Sequence, residues 1–216
     1  IKNIINNNFI NNNMKSIAII GGGGHSRVII DALYESSENI KIIGFYDDNI
    51  NCEEYRNIKR LGKIDEINNK DEIYYICGIG NLKIRKKIIE KLNGINWINV
   101  IHPSSIISDT VKLGKGIFIN AGTIINSKAY IKNHCIINTN SVIEHDVSIG
   151  VNCHIAPSVT ICGHVTIKDE TFIGVGTKII NKNKRGFINI GTNNFLNAGS
   201  LILHSTDDNM KIKGIY

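Results

Sequence analysis

The sequence predicts a chain of two parts: a small α/β domain, then an all-β domain coiled from six-residue repeats. Three observations predict it. From Ile101 to Ile179 every sixth residue is a large aliphatic (Ile101, Ile107, Leu113, Ile119 and so on through Ile173 and Ile179), fourteen positions without an exception. Four residues after most of these stands something small or β-branched, among them Ser105, Val111, Thr123, Ala129, Cys135, Ser141, Val147, Cys153 and Val159. Two inward positions in every six match neither the helical period of about 3.6 nor the strand period of about 2, so the backbone must run in short flat faces with a corner between each. Third, an apolar run from Lys15 to Ile20 ends in Gly21-Gly22-Gly23-Gly24 and gives way to Val28, Ile29, Ala32 and Leu33 at helical spacing, which reads as strand, glycine turn, helix.

Composition narrows the function classes. At 216 residues and 42% hydrophobic content, the chain has room for one large or two small domains with a real core. A net charge of +6 and a pI near 9.0 would suit an anionic ligand, although a composition biased toward Lys, Ile and Asn is the simpler explanation and the one favoured. No basic cluster is interleaved with aromatics, which argues against a nucleic-acid partner. No apolar run reaches the roughly 20 residues of a membrane-spanning helix and no signal-peptide pattern opens the sequence, so a cytoplasmic protein is expected. The five cysteines form no CxxC pair, which fits a reducing compartment; Cys135 and Cys153 fall on inward positions and read as small core residues.

In chain order, residues 1–13 are Asn-rich and precede Met14; they read as a disordered leader or an artefact and are set aside. Residues 14–99 form the α/β domain. A second strand, Lys41 to Tyr46, ends in Asp47-Asp48, and a third, Ile73 to Cys77, ends in Gly78-Ile79-Gly80-Asn81 before a helix from about Leu82 to Leu92. In an open parallel sheet, ligands bind beyond the carboxyl ends of the strands. Glycines let the backbone approach a ligand, and the N–H groups of a helix start favour an anion, so a phosphate-bearing ligand suits this turn; a bare tight turn would also use glycine. Asp47 or Asp48 either accepts from a ribose or base or forms an acidic turn in a solvated loop. With room for only about four strands, the domain is Rossmann-like but half-sized, which counts against a hydride-transfer enzyme. From residue 100 the repeat takes over, and each coil buries its apolar residues against its neighbours. The polar, basic segment 181–186 breaks the pattern as a loop, after which Ile190, Leu196 and Ile202 continue it out of phase for about one more turn.

The six-residue pattern, taken with IIGGGGHSRVIIDAL, GFYDD, GIGNLKIRKKI and NTNSVIEHDVSIG, resembles the hexapeptide-repeat acyltransferases of the sialic-acid O-acetyltransferase type, and most nearly those that N-acetylate a UDP-linked 4-amino-sugar in bacillosamine-type pathways. The resemblance implies a left-handed parallel β-helix of three faces per turn over residues 100–216. It also implies acetyl-CoA as co-substrate, no metal, a nucleotide-sugar substrate for surface-glycan assembly, and a homotrimer with active sites between subunits.

With three faces of six residues per turn, positions eighteen apart stack on adjacent coils, near the roughly 4.8 Å spacing of paired strands. Within Ile143-Glu144-His145-Asp146-Val147 only the ends point inward, so His145 stands outside with Asp146 beside it; Gly163 stacks on His145, and His164 on Asp146. Acetyl transfer to an amine needs a group to take a proton, and a His suits that task near neutral pH. His145 is the expected general base and Asp146 its helper, where the family more often has Glu; a solvated surface histidine is the bland alternative. A backbone N–H such as that of Gly163 would steady the thioester oxygen. By resemblance His154 meets acetyl-CoA, Val175 and Ala198 line its pantetheine arm, and Gly23, Gly24, His25, Asp47, Asp48 and Gly80 contact the nucleotide sugar. Asn138 either positions the substrate or simply turns a corner. Two readings of other classes stand beside this one. His134, His145, His154 and His164 all lie on the coil and would suit a zinc-dependent, carbonic-anhydrase-like site; a non-catalytic sugar-nucleotide-binding protein is the other. Sugar O-acetylation is the rival within the enzyme class, since a hydroxyl needs the same base.

Overall fold

The computed structural model describes residues 14–36, 39–68 and 72–216; segment 1–13, expected to be a disordered leader or an artefact, lies outside them. The first domain holds strands β1 (Lys15–Ile20), β2 (Ile40–Tyr46), β3 (Arg60–Gly62), β4 (Ile73–Cys77) and β5 (Asn96–Trp97), with helices α1 (Gly24–Glu35) and α2 (Leu82–Lys91). They make a parallel sheet in the order β3-β2-β1-β4-β5. Five strands replace the four or so expected, because β3 and β5 are three and two residues long and carry no apolar run to announce them.

Strand order reverses between β1 and β4, and such a switch point opens a crevice beyond the carboxyl ends, here at residues 21–24 and 78–81. Glycine is required there by contact as well as by conformation. A Cβ on Gly78 would lie 2.1 Å from Ser26 Oγ, and one on Gly22 would lie 2.5 Å from the Phe45 ring, so α1 packs close over the strand ends. Gly23 caps α1 without any side-chain hydrogen bond, whereas Asn81 caps α2 by accepting from Ile84 N–H at 3.1 Å.

The repeat domain begins at Val100 and winds as a three-faced parallel β-helix of two-residue strands. Its first face stacks six strands from Ile106–Ile107 to Leu201–Ile202, its second five from Lys112–Leu113 to Asn189–Ile190, and its third seven from Val100–Ile101 to Lys211–Ile212. Pairing such as Ile125 with Ile143 and Ile143 with Ile161 gives the step of eighteen. The every-sixth aliphatics from Ile119 to Ile179 are all 0–1% exposed and form one continuous core with Cys135 and Cys153. Each buried Ile stabilises by about 1.5–3 kcal/mol, and each does so only against the next coil. Corners turn through residues in the left-handed region, including Asn140, Asp146, Asn152 and His164 at φ 54–62°. Asn and Asp tolerate that region best among residues with a Cβ.

Two features exceed expectation. The break after Ile180 is an antiparallel hairpin of Lys182–Asn183 with Gly186–Phe187, and the step from Ile167 to its partner Ile190 is five residues longer than eighteen. The coil also runs past Ile202, adding the strand Lys211–Ile212 against Phe195–Leu196; an irregular connection, 203–210, hides it from a strict six-residue count.

The domains share a core. Ile17, Ile19 and Ile29 of the sheet and α1 cluster with Val100, Phe118 and Ile136 on the third face. Beside them Arg85 of α2, 1% exposed, donates to Asn152 Oδ1 at 2.7 Å, to the Ile79 and Gly80 carbonyls at 3.0 and 3.2 Å, and to the Asn152 and Cys153 carbonyls at 3.4 and 3.3 Å. Among the described residues no carboxylate meets it; carbonyl dipoles from both domains hold the charge. Burial lowers the Arg85 pKa from its ordinary value, yet a guanidinium stays protonated.

Candidate active site

Glu144 to Val147 form the corner joining the first face to the second. Ile143 and Val147 point into the core at 0% and 1% exposure, which forces the intervening side chains outward. His145 is half exposed, and its Nδ1 lies 2.8 Å from Asp146 Oδ2. A carboxylate oxygen accepts, so Nδ1 carries a proton, and in the neutral ring Nε2 then keeps the lone pair. That hydrogen bond is the leading cause holding the Asp146 carboxyl below its ordinary pKa. One coil on, a Cβ at Gly163 would lie 2.7 Å from both Cε1 and Nε2 of His145, so the imidazole rests in the space that glycine leaves. His164 joins the group: its ring meets His145 edge to face at 5.1 Å, its Nε2 lies 3.9 Å from Asp146 Oδ2, and its face stacks on Phe187 at 4.5 Å. The hairpin after Ile180 therefore stands on the same edge as His145. Phe187 went unnoticed in the sequence, where only the loop's charge stood out.

A second group gathers at the switch point. His154, on the third face, donates from Nδ1 to the Gly80 carbonyl at 3.1 Å, and its ring centroid is 6.2 Å from that of His25. His25 packs edge-on against Phe118, and His154 against Phe172. Burial, then His154, then Arg85 push His25 down to about 4; burial, then Arg85, push His154 down to about 4. Both are neutral at pH 7, and the buried Nε2 of His25 has no hydrogen-bond partner. Exposed Gly23 and Gly24 have nothing within 4 Å of a notional Cβ. Thus His25, Gly80 and His154 come together beside the open start of α1. Asp47 turns inward on its own loop, accepting from Gly22 N–H at 2.6 Å and Asn49 N–H at 2.8 Å, while Asp48 accepts from Ile64 N–H at 3.0 Å. Both carboxylates shape the loop.

Other expected residues fall elsewhere. Asn138, Val175 and Ala198 lie on the edge joining the third face to the first, a different edge from that of His145. Val175 is 50% exposed, and its carbonyl accepts from Gly199 N–H at 2.7 Å, so Val175 and Ala198 occupy adjacent coils. Asn138 Oδ1 accepts from Asn120 at 3.0 Å and from Thr139 N–H at 2.8 Å, the work of a corner residue. His134 sits on the remaining edge, buried, edge-on to Trp97 and pushed down to about 4 by burial and then Arg85. The four histidines weighed for zinc are therefore dispersed: His134 and His154 are each apart from the His145–His164 pair. Arg85, which carried no role in the sequence, ties α2 to the coil between His134 and His154.

Residues 16–92 match the family described as the PglD N-terminal domain. Over 108 residues the chain is 31% identical to the GDP-perosamine N-acetyltransferase of Escherichia coli O157:H7, covering 49% of each, and over 115 residues 32% identical to the UDP-N-acetylbacillosamine N-acetyltransferase of Bacillus subtilis (strain 168), covering 50% of this chain and 52% of that one. The chain spans about half the length of these curated relatives. Among solved structures, PerB from Caulobacter crescentus in complex with CoA and GDP-perosamine superposes with a TM-score of 0.77 at 29% identity, over 89% of this chain and 91% of that one. The match of residues 16–92 and the similarity to these acetyltransferases bear out the resemblance to hexapeptide-repeat acyltransferases read from the sequence.

Proposed function

From a PglD-type domain joined to a β-helix of acetyltransferase type, we propose that this chain is an acetyl-CoA-dependent N-acetyltransferase acting on the amino group of a nucleotide-linked amino sugar for surface-glycan assembly. The observation that carries the reading is the 2.8 Å contact of His145 Nδ1 with Asp146, which in the neutral ring leaves Nε2 to accept a proton, with the ring seated in the space that Gly163 leaves. The similarity to PerB, solved with CoA and GDP-perosamine, supports the substrate class.

In this reading His145 Nε2 takes a proton from the sugar amine, because an alkylammonium has no lone pair with which to attack. The amine adds to the thioester carbonyl directly, the thiolate of CoA leaves, and no acyl-enzyme forms. Asp146 holds the tautomer and steadies the imidazolium as it appears; general-base help of this kind is worth about 10²- to 10⁴-fold in rate. Gly163 N–H is assigned to the developing oxyanion. The nucleotide sugar lies at the switch point, with phosphates on the N–H groups of Gly23 and Gly24 and with His25 and Gly80 beside them. His154, Val175 and Ala198 face the coenzyme, and Asn138, Asp47 and Asp48 remain assigned to the substrate side. His25 and His145 stand in separate groups within one chain, so the reading takes up the homotrimer that the resemblance implies, in which the first domain of one subunit presents the amine to His145 of the next.

The test is free-thiol release from acetyl-CoA with a panel of UDP-, GDP- and dTDP-amino sugars and sialic acid. Turnover with one amino-sugar nucleotide and none with sialic acid is the expected result; turnover confined to sialic acid would convert the reading to O-acetylation.

A further inference from the structure

The carboxylate of Asp146 is shared between two imidazoles on successive coils. Its Oδ2 lies 2.8 Å from His145 Nδ1 and 3.9 Å from His164 Nε2, and one donor atom from each of the three residues falls within 4.8 Å of the others. Donors bound at about 2.0–2.1 Å in a tetrahedral zinc site stand about 3.3 Å apart. These two separations fall on either side of that value and the third, between the two imidazoles, lies within 4.8 Å, so side-chain movement alone brings the set onto one ion. The set is also held in place. Asp146 and His164 both occupy left-handed corner positions, at φ 57° and 62°, and project from the same edge. The His164 ring is held by the Phe187 stack at 4.5 Å and by an edge-to-face contact with the His145 ring at 5.1 Å. His145 and His164 side chains are 50% and 43% exposed, which leaves an entry path and a position for water.

The geometry points to an inhibitory transition-metal site formed by His145, Asp146 and His164, taking Zn²⁺ or a like ion. Two imidazoles and one carboxylate suit Zn²⁺, Co²⁺, Ni²⁺ or Cu²⁺, whereas Mg²⁺ and Ca²⁺ prefer all-oxygen sets. Inhibition follows from the tautomer. A metal takes the Nδ1 lone pair in place of the proton now given to Asp146, and a neutral imidazole so bound keeps its one proton on Nε2. Nε2 is the nitrogen that must be bare to accept from the amine. The ion thus blocks the base without entering the acetyl-transfer reaction. The inhibitory consequence rests on the acetyltransferase reading; the binding does not.

The experiment titrates Zn²⁺ into the full chain against a chromophoric zinc chelator, with Co²⁺ absorption as a second readout and thiol release measured in parallel. We expect one equivalent bound at micromolar affinity or tighter. His164→Asn should weaken binding at least tenfold, and Phe187→Ala should weaken it severalfold by freeing the ring. Turnover should fall with occupancy and return on adding EDTA, and the turnover that His164→Asn retains should resist zinc. Should His164→Asn melt early, His164→Gln takes its place. Zinc bound equally well by wild type and His164 variants, for instance through the partly exposed thiols of Cys52 and Cys162, would overturn the proposal, as would no binding below millimolar metal. Binding lost with His164 in a protein that releases no thiol with any acceptor would uphold the metal site and sink the acetyltransferase reading alone.

Discussion

Two groups of histidines, one on an outer edge of the β-helix and one at the seam between the domains, carry the same side chain into opposite electrostatic settings. On the edge, His145 and His164 face solvent and share the carboxylate of Asp146. At the seam, His25, His134 and His154 are pushed down to about 4 by burial, with the Arg85 charge adding to it in each case. Burial and a nearby cation keep an imidazole neutral. The edge sets two solvent-facing imidazoles around one carboxylate, while the seam keeps its three histidines uncharged.

The sharpest way to break this contrast is to remove one member of each group. His145→Ala should lower thiol release by about 10²- to 10⁴-fold with near-normal acetyl-CoA affinity and unchanged melting; full activity in that variant ends the assignment. Arg85→Ala should do the reverse in kind, costing about 3–5 kcal/mol of stability in denaturant unfolding, because carbonyls from both domains lose their donor at a buried site. A melting curve like wild type would mean that the seam is held by its apolar core alone.

Smaller effects refine the edge. Gly163→Ala places a Cβ where His145 Cε1 and Nε2 now stand 2.7 Å away, so the ring must move; kcat should drop about tenfold or more while the fold persists. Asp146→Asn should lower kcat by less than loss of His145 does, since the amide still offers an oxygen to Nδ1–H but no charge to the imidazolium.

The gentlest test is pH. The seam histidines have folded pKa values near 4, against about 6.5 unfolded. Between these values the unfolded chain binds more protons, so their contribution is complete above about pH 6.5 and is lost as pH falls toward 4. Melting temperature should decline over that window, and His134→Asn should flatten the decline. A flat profile in the wild type would show these imidazoles to be solvated.

Legibility followed the origin of each contact. The every-sixth aliphatics placed the core, the outward turn of His145 and the seat of its ring over Gly163, all of which the structure reproduces. The strands β3 and β5 were invisible because two or three residues without an apolar pattern acquire a strand identity only from their neighbours. Asp47 read from its place after β2 as either a ligand contact or an acidic turn; that its carboxylate accepts from the Gly22 and Asn49 N–H groups is a local choice that spacing cannot reveal.

What the sequence determined by itself is therefore the repeat, its register and the side of the wall on which each residue stands, because burial repeats with a covalent period. What only the tertiary structure decided is which outward residues meet across coils and domains. Arg85 finds Asn152 across 67 residues, His154 finds Gly80 across 74, and His164 finds Phe187 only because a five-residue insertion folds back as a hairpin on that edge. Burial where the domains meet lowers the pKa of His25, His134 and His154, since an imidazole's charge depends on what surrounds it in space rather than on what precedes it in the chain.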